Sequence, residues 1–173
     1  MPTRKKKQTL PPRKIFDVDW PLFGELSRAL ALKVARAFDP ELVVGIATAG
    51  VVPGAAVAAI LDRPFHSILV SRRYDAKAER GAPKLLGKAP AEAREKRVLI
   101  VDETCDSGDT LRIAIAALVK AGAKDVRTAV SFRTGAFDPD YYALETERVI
   151  VLPWDKEILV DGELVPNPKY NGE

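Results

Sequence analysis

Cysteine and histidine each occur once in these 173 residues. A lone Cys105 rules out an intrachain disulfide, and with His66 as its only companion no Cys/His zinc cluster can form within one chain. No apolar run approaches the roughly 20 residues that span a bilayer, so no membrane partner is expected. The N-terminus has no apolar segment of the secretory kind, and a reducing cytoplasm is the expected setting. Acid is missing from residues 1–14, which carry six cations: Arg4, Lys5, Lys6, Lys7, Arg13 and Lys14. The whole chain is only +3, so the remainder is net acidic. That remainder has no basic patches with interleaved aromatics, which argues against nucleic acid as a partner. Residues 1–14 are read as a basic, flexible tail and 15–173 as a single domain.

What is present is an alternation of two periodicities. Asp19 before Trp20-Pro21 marks a helix start, and Phe23, Leu26, Leu30, Val34 and Phe38 recur at helical spacing until Asp39-Pro40. Leu42 to Ile46 is a short unbroken apolar run of the kind a buried parallel strand shows. Ala47-Thr48-Ala49-Gly50 is a small-residue turn. Pro53 to Leu61 reads as a helix apolar on all sides and therefore buried. Phe65–Val70, Val98–Val101, Val126–Phe132 and Val149–Leu152 read as further strands. Thr110–Ala121 reads as a helix stopped at Gly122. Residues 71–95 are a long polar excursion. Asp161-Gly162, between Ile158–Val160 and Glu163–Val165, signals a hairpin within a C-terminal extension, 156–173. The fold class expected is α/β, a mainly parallel twisted sheet with helices on both faces.

Ligands of such sheets collect at the carboxyl ends of strands. The strongest strand ends in Val101-Asp102-Glu103-Thr104-Cys105-Asp106-Ser107-Gly108-Asp109-Thr110-Leu111. Asp102 and Glu103 are adjacent acids suited to sugar hydroxyls and a hydrated Mg²⁺. Ser107, Gly108, Asp109 and Thr110 open a helix whose free N–H groups and hydroxyls suit a phosphate. Asp106 lies between the two features, placed to exchange a proton with whatever is joined to the sugar.

This segment resembles the phosphoribosyl-pyrophosphate (PRPP) signature of the type I phosphoribosyltransferases. The wider chain, Trp20 to Asp155, is similar to the 6-oxopurine branch, the hypoxanthine–guanine and xanthine–guanine enzymes. There Asp138-Pro139-Asp140-Tyr141-Tyr142 and Val149 to Asp155 match that branch's ending. The resemblance implies PRPP and a purine base as partners, Mg²⁺ as cofactor, and a homo-oligomer, dimer or tetramer. It implies that Asp102 and Glu103 hold the ribose hydroxyls and the metal, with Asp155 at a second metal. Asp106 becomes the general acid/base facing purine N7. Ser107 to Thr110 cradle the 5′-phosphate, and Thr48, Ala49 and Gly50 face pyrophosphate. Arg133, Val149 and Ile150 border the base, and residues 71–95 form a mobile lid. Arg72, Arg73 and Tyr74 open that lid, where they either meet pyrophosphate oxygens or form a solvated turn.

Three positions depart from the family's pattern. The pyrophosphate turn carries no basic residue, Val149 stands where the branch has an aromatic, and Arg133 replaces a lysine. Two other functions therefore stand beside purine transfer. One is a regulator that keeps the PRPP or nucleotide pocket and does little chemistry. The other is a phosphoribosyltransferase acting on another base.

Overall fold

Ten strands, three α-helices and two short 3₁₀ helices make up the regular structure of the described residues, 14–72 and 81–170, of a computed structural model. These residues pack as two compact units: 21–146, and a smaller unit joining 14–20 to 147–170. The tail before Lys14, and Arg73 and Tyr74 of the expected lid, lie outside the described residues.

The larger unit is built on a six-stranded sheet. In chain order its elements are α1 (Trp20–Ala35, whose first residue belongs to the smaller unit), β2 (Leu42–Ala47), α2 (Val51–Leu61), β3 (Phe65–Ser71), β4 (Lys84–Leu85), β5 (Arg97–Cys105), α3 (Asp109–Lys120), β6 (Asp125–Arg133) and β7 (Tyr141–Glu145). The strand order is β4-β3-β2-β5-β6-β7, parallel throughout except for β4 against β3. The expected class, a mainly parallel α/β sheet covered on both faces, is the one observed.

The alternation of side chains along each strand explains the two layers of core. Val43, Leu99, Val101 and Ala129 face Leu30, Ala31 and Val34 of α1 and Val57 and Ala58 of α2. Leu42, Val44, Ile46, Val98, Ile100 and Val130 face Leu111, Ala114 and Leu118 of α3. Both faces being covered is why these strands read as continuous apolar runs.

Three expectations are corrected here. Helix α2 is not buried all round: Pro53, Gly54, Val57 and Ala58 are buried, while Ile60 is 47% exposed. Only one face of α2 meets the sheet, and the small alanines leave little apolar area on the other. Strand β5 does not end at Val101 but runs to Cys105, because β6 is long enough to pair with it as far as Cys105↔Arg133. Val149–Leu152 does not extend the central sheet. The sheet's last position is taken by β7, a strand the periodicity does not show.

In the smaller unit, β1 (Ile15–Asp17) pairs in parallel with β8 (Val149–Val151), in register Ile15↔Val149. Strands β9 (Glu157–Val160) and β10 (Glu163–Pro166) form the expected hairpin. Asp161 and Gly162 both have positive φ, +50° and +88°, as a two-residue hairpin turn of the primed type requires. Trp20 and Trp154 pack together, their ring centroids 5.8 Å apart. Among the described residues no helix is long and apolar enough to cross a membrane.

Candidate active site

Strand β2 is followed by a connection to β3 on one side of it, while β5 lies on its other side. The chain thus leaves the sheet in opposite directions from β2 and β5, and a crevice opens beyond their carboxyl ends. A cavity of about 570 Å³ occupies that place, within the size range of small-molecule sites. It is lined from β2 and its turn by Ile46 to Ala49, from the end of β3 by Val70 to Arg72, and by Asp102 to Leu111.

Nine of the expected site residues therefore come together here: Asp102, Glu103, Asp106, Ser107, Gly108, Asp109, Thr110, Thr48 and Ala49. Gly50 stands behind them. A Cβ on it would lie 2.8 Å from Asp102 Oδ1 and 2.7 Å from the Ile46 carbonyl oxygen, so glycine is what lets the turn approach β5. The Ala47–Thr48 peptide bond in this turn is cis.

Asp102 accepts a hydrogen bond of 2.8 Å from the Glu103 backbone N–H. Burial pushes its carboxyl up to about 8; the Glu103 N–H opposes the rise and the Glu103 charge adds to it. A carboxylate in that position is in want of a cation. The donor set suits a hard divalent ion such as Mg²⁺, which needs only one or two protein carboxylates and fills its shell with water and substrate phosphate. Among the described residues no three His, Cys, Asp or Glu side chains form a metal cluster by themselves. Cys105 is buried in the same strand end, and its thiol is pushed up to about 11, chiefly by burial, so it is a packing residue and not a nucleophile.

The loop after β5 turns into α3 at Gly108, whose φ of +76° is left-handed. Ser107 Oγ donates to Asp109 Oδ2 at 2.8 Å, and Arg72 Nη2 reaches the same oxygen at 3.1 Å. Arg112 Nη1 binds Asp109 Oδ1 at 3.2 Å and the Ser107 carbonyl at 2.8 Å. The Ser107 hydroxyl and then Arg72 hold the Asp109 carboxyl below the ordinary carboxylate range.

A second loop, after β6, braces the first, and nothing in the sequence reading assigns it a role. Thr134 donates from its N–H (2.8 Å) and hydroxyl (3.1 Å) to the Cys105 carbonyl, and the Phe137 N–H donates to the Asp106 carbonyl at 3.1 Å. A Cβ on Gly135 would collide with the Asp106 carboxylate, and one on Gly108 with the Phe137 ring. The usable signal was topological. Strands β5 and β6 end level with each other, so the loops that follow them must touch.

Within the larger unit, Arg133 is not among the residues that line this cavity. Arg133 ends β6 with its guanidinium engaged: Nε donates to the Phe137 carbonyl at 3.1 Å, and Nη1 lies 3.3 Å from Asp138 and 3.6 Å from Glu145. Val149 and Ile150 belong to β8 in the smaller unit. Asp155, expected at a second metal, belongs to the smaller unit. Its carboxylate accepts from Lys169 Nζ at 2.8 Å, from Asn167 Nδ2 at 3.1 Å and from the Tyr170 hydroxyl.

Comparison with known proteins agrees with this architecture. The phosphoribosyl transferase domain family matches residues 18–160, and the chain belongs to that family. It is 26% identical over 159 residues to a xanthine-guanine phosphoribosyltransferase of Nitratidesulfovibrio vulgaris, covering 92% of this chain and 96% of the other. It is 28% identical over 140 residues to a hypoxanthine/guanine phosphoribosyltransferase of Methanocella paludicola, covering 76% and 73%. Among solved structures, a purine phosphoribosyltransferase from Pyrococcus horikoshii superposes with a TM-score of 0.72 at 29% identity, over 86% of this chain and 99% of that one.

Proposed function

We propose that this protein transfers the 5-phosphoribosyl group of PRPP to a 6-oxopurine base, hypoxanthine, guanine or xanthine, and releases pyrophosphate. The observation that carries the reading is the convergence of Asp102, Glu103, Asp106 and the Ser107–Thr110 loop on one cavity at the sheet's switch point. The purine part rests on the relatives, two of which are named for 6-oxopurine transfer.

In this reading Ser107, Gly108 and Thr110 take the 5′-phosphate on hydroxyls and on the N–H groups that open α3. Asp102 and Glu103 take the ribose hydroxyls. They also hold Mg²⁺, which when bound neutralises charge on the departing pyrophosphate. The Thr48-Ala49-Gly50 turn offers backbone N–H groups to that pyrophosphate. The bond from ribose C1 to pyrophosphate breaks as the bond to the base nitrogen forms. The base must then shed a proton from its imidazole ring, and Asp106, at the cavity wall, accepts it.

The test is pyrophosphate release with Mg²⁺ and PRPP, run separately with hypoxanthine, guanine, xanthine, adenine and uracil. Release with one or more 6-oxopurines only is the expected result. Release with adenine or uracil alone would keep the reaction and overturn the base. No release with any base, alongside clear PRPP binding, would make the protein a binder.

A further inference from the structure

An acid within a phosphate loop needs a reason, because Asp109 sets a negative charge beside the place proposed for a phosphate. Its geometry supplies one. Both carboxylate oxygens are turned to arginines, Oδ2 to Arg72 and Oδ1 to Arg112, and Ser107 Oγ binds Oδ2 as well. The local balance is therefore two cations against one anion.

Arg72 and Asp109 stand 37 residues apart, at the end of β3 and in the first turn of α3. Arg72 is the one basic side chain among the described residues lining the cavity. Its Nη2 also comes within 3.5 Å of Ser107 Oγ, so the guanidinium lies over the loop itself. A guanidinium has five donors in a rigid fork, and two contacts from Nη2 leave the others for an anion. The turn at Ala47–Gly50, by contrast, carries no cation.

We propose that Asp109 is a positioning residue, holding Arg72 over the phosphate loop so that this arginine, the one cation in the cavity's described lining, meets the phosphate bound there. The inference rests on the phosphate reading of the loop. Its consequence runs against simple electrostatics: deleting a negative charge next to a bound phosphate should weaken binding, because the arginine it orients is released.

Calorimetry of PRPP with Mg²⁺ tests this on wild type, Asp109→Asn, Asp109→Glu, Arg72→Ala and the pair Asp109→Asn/Arg72→Ala. Asp109→Asn should raise Kd by roughly tenfold, and Asp109→Glu should restore most of the loss. In the Arg72→Ala background Asp109→Asn should add little, since the two act through one contact. Melting curves of the variants separate lost positioning from lost fold. Tighter binding by Asp109→Asn, or losses that simply add in the double variant, would overturn the inference while leaving the phosphate reading intact. A wild-type chain that binds no PRPP would overturn the phosphate reading, and the inference with it.

Discussion

Gly50 packs against Asp102 behind the cavity's lining, so close that a Cβ on the glycine would lie 2.8 Å from the aspartate Oδ1. The same Cβ would meet the Val101 carbonyl oxygen at 2.9 Å and that of Ile46 at 2.7 Å. Those oxygens belong to paired strands and cannot step aside. Gly50→Ala should therefore push the turn away from β5, costing roughly 1–3 kcal/mol of overpacking. The melting temperature should fall by about 2–4 °C for each kcal/mol. PRPP affinity should fall with it. A variant with wild-type melting and wild-type PRPP affinity would show that the turn has room the geometry denies.

Asp102 also predicts a pH dependence. Its folded carboxyl sits at about 8, against an ordinary value of roughly 3.9 in the unfolded chain. Between those values the folded state holds a proton that the unfolded state has lost. The contribution of this group to stability is thus complete at low pH and declines as pH rises towards about 8. Asp102→Asn keeps the shape and removes the titration. The variant should lose this slope and melt above the wild type at pH 8–9. Parallel melting-temperature profiles for the two proteins would show that Asp102 is already ionised at neutral pH.

The buried strands β2, β5 and β6 were legible because apolar cover on both faces makes a run without gaps. The convergence of Asp102 to Thr110 on one cavity was legible because these residues are neighbours in sequence. The hairpin at Asp161-Gly162 was legible because one turn type demands those residues. Strand β7 was not, since Tyr141–Glu145 is only half-buried and alternates weakly. Nor was the pairing of β1 with β8, where Ile15 finds Val149 from the far end of the chain. The Arg72–Asp109 contact and the packing of Gly135 on Asp106 join segments far apart in sequence. No window of residues shows such contacts; only the strand order β3-β2-β5-β6 brings them together.

Asp140, just before β7, should matter for stability and not for chemistry. Its Oδ2 accepts the Thr128 N–H and the Thr128 hydroxyl, each at 2.8 Å, and its Oδ1 binds Arg127 at 3.2 Å. Burial alone would raise this carboxyl; the Thr128 donors and Arg127 outweigh it and hold it below the ordinary carboxylate range. Its contribution is present at neutral pH and is lost as pH falls below about 4, through the folded value. Asp140→Ala should cost about 1–2 kcal/mol at neutral pH, since it strands the Thr128 N–H, and the difference from wild type should shrink in acid. Chemical denaturation at both pH values measures it. An equal loss at both would assign the effect to packing and not to the charge.

Asp106 gives the last prediction, through the glycine packed against it. Gly135 leaves room for the Asp106 carboxylate, and Phe137 holds the Asp106 carbonyl from the same loop. Asp106→Asn removes the proposed proton acceptor without changing the space, and turnover should fall by roughly 10²-fold or more while PRPP affinity stays within a few-fold. Gly135→Ala should approach the same result by another route, because the new methyl group must displace the carboxylate from its position at the cavity wall and press on the Asp106 carbonyl oxygen and Cα, which it would meet at 2.7 and 2.8 Å. The pair is informative where either variant alone is not. If Gly135→Ala turns over like wild type while Asp106→Asn does not, the contact does not position the acid. If Gly135→Ala loses PRPP binding in proportion to turnover, the loop after β6 supports the phosphate cradle and not the proton transfer. Turnover lost with PRPP affinity kept, in both variants, is the outcome that assigns to Gly135 the task of aiming Asp106 at the base.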